Sequence, residues 1–108
     1  MSDRKSGGGP AGDEQVLTRK KRKVARPKRW KVLLHNDDYT TMDFVVEVLV
    51  QHFKKSQAEA MHVMLQVHQK GVGTAGIYPR DVAETKVSDV MGEARAQNMP
   101  LQVSAEPE

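Results

Sequence analysis

None of the 108 residues is cysteine, which excludes a disulfide framework, thiolate metal ligation and thiol catalysis, and fits a reducing cytoplasm. Aromatic side chains are scarce, at 5% of the chain, so a surface for stacking successive bases is missing. No apolar run approaches the roughly 18 to 20 residues of a membrane span, and the charged N-terminus is not followed by the apolar segment of a secretion signal. A chain of this length is expected to form one soluble domain with one site.

What is present is charge, unevenly placed. The formal net charge is +3, yet residues 1–29 hold ten Lys and Arg against three Asp and Glu (+7), while residues 30–108 hold seven against eleven (−4). The first stretch carries "GGGPAG", "RKKRK" and Pro27 and has almost no apolar side chains to offset its ordering entropy. Residues 1–28 therefore read as a flexible basic arm, and residues 29–108 as an acidic folded core domain.

Within the core, "RWKVLLH" puts Trp30, Val32 and Leu34 on one face and Lys31, Leu33 and His35 on the other, the period of a strand. "NDDY" ends it, because Asn and Asp bond nearby backbone and favour turns. Met42, Val45, Val46, Leu49, Val50 and Phe53 then form one helical stripe, entered through a capping-box pattern at Thr40 and Asp43. A second such pattern, Ser56 and Glu59, opens a helix whose Ala60, Met61, Met64, Leu65 and His68 line up and which Gly71 stops. "GVGTAGIYPR" has a strand-forming centre at Ile77 and Tyr78, with Pro79 at a strand end or edge. A third helix follows, with Val82, Val87, Val90, Met91 and Ala94 inward, and "MPLQVSAE" closes as a short strand. The expected fold is α+β: a small β-α-α-β-α-β sandwich with a three-stranded antiparallel sheet packed on three helices.

Asn36, Asp37 and Asp38 are the residues most open to a chemical role. They read either as a turn with a helix-entry anion or as a receptor for a cation, since their oxygens accept hydrogen bonds and a carboxylate binds an ammonium strongly. Carboxylate pairs can also collect Mg²⁺, but two of them without a phosphate-binding loop are weak support for it. His62 and His68 stand six apart, on different helix faces, which excludes a helical zinc pair. His68 reads either as a packed or capping residue or as part of a site. No glycine-flanked nucleophile turn accompanies the Ser, Thr and His residues, so a hydrolytic triad is not expected. The methionines read as core filler. If the first two helices pack as a hairpin, Met42, Val45, Met64 and Val67 could instead wall a hollow beside the "NDD" turn, suited to an amine on a bulky side chain.

"VLLHNDDYTTMDFVVEVL", "MLQVHQKGVG" and "DVAETKV" together resemble the signature segments of ClpS, the bacterial adaptor family of the Clp protease, in the same order over residues 30 to about 105. The resemblance implies a non-catalytic, cytoplasmic adaptor without cofactor or metal. Such an adaptor captures N-degron proteins that begin with Phe, Tyr, Trp or Leu and delivers them to the unfoldase ClpA, which feeds ClpP. It also implies that Asn36, Asp38 and His68 surround the substrate's α-ammonium, His68 through an unprotonated ring nitrogen, with Asp37 shaping the turn. Thr40, Met42, Val45, Met64, Val67 and Leu101 match pocket-lining positions, with Met42 as gatekeeper against side chains branched at Cβ. Asp81, Glu84 and Lys86 match positions facing ClpA, and the arm matches a segment implicated in delivery.

Three positions depart from the family pattern. Thr41 stands where proline is common, which is expected to loosen the helix entry. His35 stands at an aliphatic position expected at the pocket edge, and Asp81 where Glu is more frequent. The competing class is a nucleic-acid module that uses "TRKKRKVARPKR" as a phosphate-binding arm. That reading leaves the acidic turn and the hollow without a role, so nucleic acid is not the expected partner.

Overall fold

The structure, a computed structural model, describes residues 27–108. The expected basic arm therefore lies outside the described residues, except for Pro27 and Lys28. The elements run β1 (Arg29–His35), α1 (Met42–Phe53), α2 (Gln57–Lys70), β2 (Val72–Pro79), α3 (Arg80–Ala96) and β3 (Gln102–Pro107). The strands form one antiparallel sheet in the order β2-β1-β3, so the expected order and class hold.

Strand β1 occupies the centre because its alternation supplies a fully apolar inner face: Val32 and Leu34 are completely buried. Leu34 stands between Gly73 of β2 and Val103 of β3, and the register between β1 and β2 shifts after Val32. Strand β2 lies at an edge, where Pro79 costs no ladder hydrogen bond. The layer opposite the sheet is built from the three helices, whose buried residues join Val32, Leu34, Ala75, Leu101 and Val103 in one core.

The helix entries differ from expectation at α1 and agree at α2. Thr40 does not cap α1, because its hydroxyl donates to Asp37 Oδ2 at 2.7 Å. The cap is Thr41, whose side chain accepts from the Phe44 amide at 3.1 Å, so a threonine in place of proline supplies a cap rather than a loosened entry. Ser56 and Glu59 make both halves of the expected capping box, and Gly71 ends α2 at φ 89°, a conformation that glycine adopts without strain.

Two inward faces are corrected. Helix α2 buries Ala60, Val63, Met64 and Val67, whereas Met61, Leu65 and His68 are exposed. Both rows have helical spacing, and the sheet takes the one bearing the valines. On α3, Ala83, Val90 and Ala94 are buried and Val82 is exposed. Small Ala83 lets the first turn of α3 lie close to the sheet, and Val82 is turned away.

Helices α1 and α3 are pinned at one point. The Lys86 ammonium donates to the His52 carbonyl in the last turn of α1 at 2.6 Å and lies over the Phe53 and Tyr78 rings, 5.8 and 5.5 Å from their centres. A cation at a helix C-terminus satisfies an orphan carbonyl and opposes the helix dipole. His52 Nε2 meets Glu93 Oε1 at 2.6 Å beside it.

Candidate functional site

The turn after β1 is built around Asp37. Its Oδ1 accepts from the Tyr39 and Thr40 amides at 2.8 and 2.7 Å, and its Oδ2 accepts from the Thr40 hydroxyl at 2.7 Å. Burial alone would raise the Asp37 pKa, but the Thr40 hydroxyl and the two amides outweigh it and hold the carboxyl below its ordinary value. The turn's stabilisation should therefore be complete above about pH 4, the unfolded value, and be lost as pH falls through the lowered folded value. Urea midpoints of wild type and Asp37→Asn should accordingly differ at neutral pH and converge in acid. A gap that widens in acid would contradict this sign.

With both Asp37 oxygens engaged in the turn, Asn36 and Asp38 beside it are exposed. The Asn36 amide donates to the Gly71 carbonyl at 2.9 Å, which ties the end of β1 to the C-terminus of α2. His68 stands in the last turn of that helix, so the same bond brings the acidic turn and the histidine to one mouth. Below them lies a hollow of about 250 Å³. Asn36, Asp37, Asp38, Thr40 and His68 form its polar part, and Met42, Val45, Met64 and Val67 its apolar walls. Val45, Met64 and Val67 are buried, while Met42 is 44% exposed at the rim.

Two expected residues lie elsewhere. Leu101 is buried in the core at 3% exposure and is not among the residues lining the hollow. His35 is directed away as well: its Nε2 pairs with the Ser104 hydroxyl of β3 at 2.7 Å, so it does not border the pocket edge. On α3, Glu84 and Asp81 are exposed. Glu84 pairs with Arg80 at 3.2 Å, and Asp81 accepts from the neighbouring Val82 amide at 3.0 Å. Lys86, by contrast, is engaged within the fold through His52.

A larger groove of about 490 Å³ runs between α1 and α2, lined by Val46, Val50 and Met61 and sharing Met42 and Met64 with the hollow. The exposed Met61 was the one signal for it in the sequence, and there it reads as core. Among the described residues, no group of three or more His, Asp or Glu could hold a metal, and no helix is long and apolar enough to cross a membrane.

The described domain is thus a small α+β fold in which Asn36, Asp37, Asp38, Thr40 and His68 line one hollow together with Met42, Val45, Met64 and Val67, the kind of concave, mixed polar and apolar site that suits binding of a small group. Residues 25–104 match the family model described as "ATP-dependent Clp protease adaptor protein ClpS". The chain is 52% identical over 106 residues to the ATP-dependent Clp protease adapter protein ClpS of Oleidesulfovibrio alaskensis, covering 98% of each chain. It is 50% identical over 101 residues to the protein of the same name from Deinococcus radiodurans, covering 94% of this chain and 89% of that one. Among solved structures, Agrobacterium tumefaciens ClpS2 bound to L-phenylalaninamide superposes with a TM-score of 0.74 at 38% identity. That match covers 77% of this chain and 100% of that one. The chain belongs to the ClpS family of Clp protease adaptors.

Proposed function

We propose that this protein is a non-catalytic adaptor that holds the free α-ammonium and the first side chain of N-degron proteins beginning with Phe, Tyr, Trp or Leu. It then delivers them to the ClpA unfoldase of ClpAP in the cytoplasm, without cofactor or metal. The observation that carries this reading is the meeting of Asn36, Asp38 and His68 at the mouth of a hollow walled by Met42, Val45, Met64 and Val67. The ligand of the Agrobacterium relative, L-phenylalaninamide, offers the same two features: a free amine and a benzyl group.

An ammonium has three protons to donate. The Asn36 amide oxygen, the Asp38 carboxylate and an unprotonated His68 nitrogen supply three acceptors of the required kind. Asp37 serves indirectly, by fixing the turn from which its neighbours project. Burial of a Phe-sized side chain contributes about 1.5–3 kcal/mol, and hydrogen bonds to a charged group about 1.5–3 kcal/mol each. Together they permit micromolar capture through a single residue, provided the site is preformed. Met42 at the rim disfavours a second substituent on Cβ, so N-terminal Val and Ile should be rejected.

Delivery uses a separate face. Asp81 and Glu84 at the exposed start of α3 are the groups offered to ClpA. The Arg80–Glu84 pair is an exposed i,i+4 contact of small net value, which a partner's cation displaces at little cost. Lys86, which lines a surface groove together with Asp81, belongs to the same face and also fixes α3 to α1. The basic arm, residues 1–28, is assigned to hand-over of the captured chain.

Fluorescence anisotropy tests the capture step with three labelled peptides: one beginning Phe, its N-acetylated twin, and one beginning Val. Only the first should bind. Equal binding of the acetylated peptide would remove the ammonium from the proposal.

A further inference from the structure

We propose that Gly73 is a positioning residue for substrate specificity: it sets how far Val67 stands into the hollow, and hence how wide an N-terminal side chain is accepted. This rests on the reading above, in which the hollow takes that side chain. Gly73 itself is not among the residues that line the hollow.

The argument begins at the contact between β2 and α2. Gly73 is buried, on the sheet face that carries Ala75, and lies opposite Leu34 of β1. A Cβ placed at position 73 would stand 2.8 Å from Val67 Cγ2, 3.3 Å from the Val63 carbonyl oxygen and 3.5 Å from Val63 Cγ1. The missing side chain is therefore the space into which α2 settles. Val67 is the residue closest to that space, and it is also a wall of the 250 Å³ hollow. The wall is thin: Gly73 lies behind it and the ligand space in front.

Relief of the 2.8 Å approach to an ordinary carbon–carbon separation of about 3.5–4.0 Å requires a shift of about 1 Å. Val67 has little freedom to make it by rotation, because a β-branched side chain on a helix holds one strongly preferred rotamer. The added Cβ would also meet the Val63 carbonyl oxygen at 3.3 Å, a backbone atom of the same helix that cannot turn aside, so the methyl itself gains no room by leaning away from Val67. The displacement is directed toward the hollow. A wide, flat side chain that fills the hollow to its back wall feels that displacement, whereas a shorter one does not. Overpacking of this kind is penalised strongly in a well-packed site.

The test is Gly73→Ala, with peptides beginning Trp, Phe and Leu, all with free amines, measured by anisotropy alongside a thermal melt. The affinity for the Trp peptide should fall at least about tenfold, that for the Phe peptide by less, and that for the Leu peptide by no more than about threefold. Adding Val67→Ala to the same chain should return the Trp-to-Leu ratio to within about threefold of wild type, because the smaller side chain restores the lost depth. If Gly73→Ala alone does not fold, Val67→Ala and the double variant carry the same comparison. Val67→Ala should favour Trp over Leu more than wild type does, and the double variant should fold and match it, because the Cγ2 that the added methyl meets is gone.

An unchanged ratio in folded Gly73→Ala, an equal loss for all three peptides, or a double variant whose Trp-to-Leu ratio stays well below that of Val67→Ala would each overturn the role of Gly73 acting through Val67. Failure of the underlying reading is distinct, since wild type itself would then bind none of the three peptides.

Discussion

Alanine at both Asn36 and His68 is expected to lower the affinity for a Phe-first peptide by at least about a hundredfold while the domain stays folded. Each side chain supplies one acceptor to a buried-facing ammonium, and one such hydrogen bond is worth about 1.5–3 kcal/mol. That corresponds to about tenfold or more for each single variant. Because both groups act on one ammonium, removing the second leaves a charge with still fewer acceptors, so the double loss should be no smaller than the product of the single ones. Stability should move little. Both residues are exposed, and the bond that ties β1 to α2 uses the Asn36 backbone amide, which alanine retains. Titration by anisotropy, paired with a urea unfolding curve, separates the two effects. A double variant that binds within about threefold of wild type would show that the ammonium is held elsewhere.

Much of this arrangement was legible in the sequence because it is local. The change of period from two in "RWKVLLH" to a helical stripe after Thr40, and the stops at "NDDY" and Gly71, required no tertiary information. The order β-α-α-β-α-β followed from them. The association of Asn36, Asp38 and His68 was different in kind: spacing alone left the turn and the histidine as separate, bland features. Only the resemblance to a family joined them, and the bond from the Asn36 amide to the Gly71 carbonyl now gives that association a physical basis.

The misreadings share one cause, competition that only the folded chain decides. Thr40 and Thr41 are both good caps, and Asp37 took the hydroxyl of the first. Helix α2 carries apolar residues on two rows, and the sheet selected the one with Val63 and Val67. A further contact carried no local signal: the Lys86 ammonium meets the carbonyl of His52, 34 residues earlier, only when α3 is laid across the end of α1. The family pattern put His35 at the pocket edge, yet its ring pairs with Ser104 of β3. Gly73 gave no signal, since an absent side chain matters only through what fills its space.

The largest loss of stability is expected from Leu34→Ala. Leu34 is fully buried in the central strand, with Gly73 on one side and Val103 on the other. A strand residue held on both flanks cannot be replaced by collapse of its neighbours, so the cavity should persist. Substitutions of this kind cost about 2.7–5 kcal/mol, a large part of the roughly 5–15 kcal/mol that holds a domain together. Leu65→Ala on α2 is the matched control. That side chain is 42% exposed, and its removal should cost no more than about 0.5 kcal/mol. Urea unfolding of the two variants reads the contrast directly, with similar slopes expected because each exposes nearly the same surface on unfolding. Leu34 also stands two residues before Asn36, so the variant tests whether the core holds the lip in place. Below its unfolding transition, Leu34→Ala should retain more of its peptide affinity than the Asn36 and His68 double variant does, since every acceptor is still present. Equal costs for Leu34→Ala and Leu65→Ala would mean that the packing of β1 against the helices is not what supports the site.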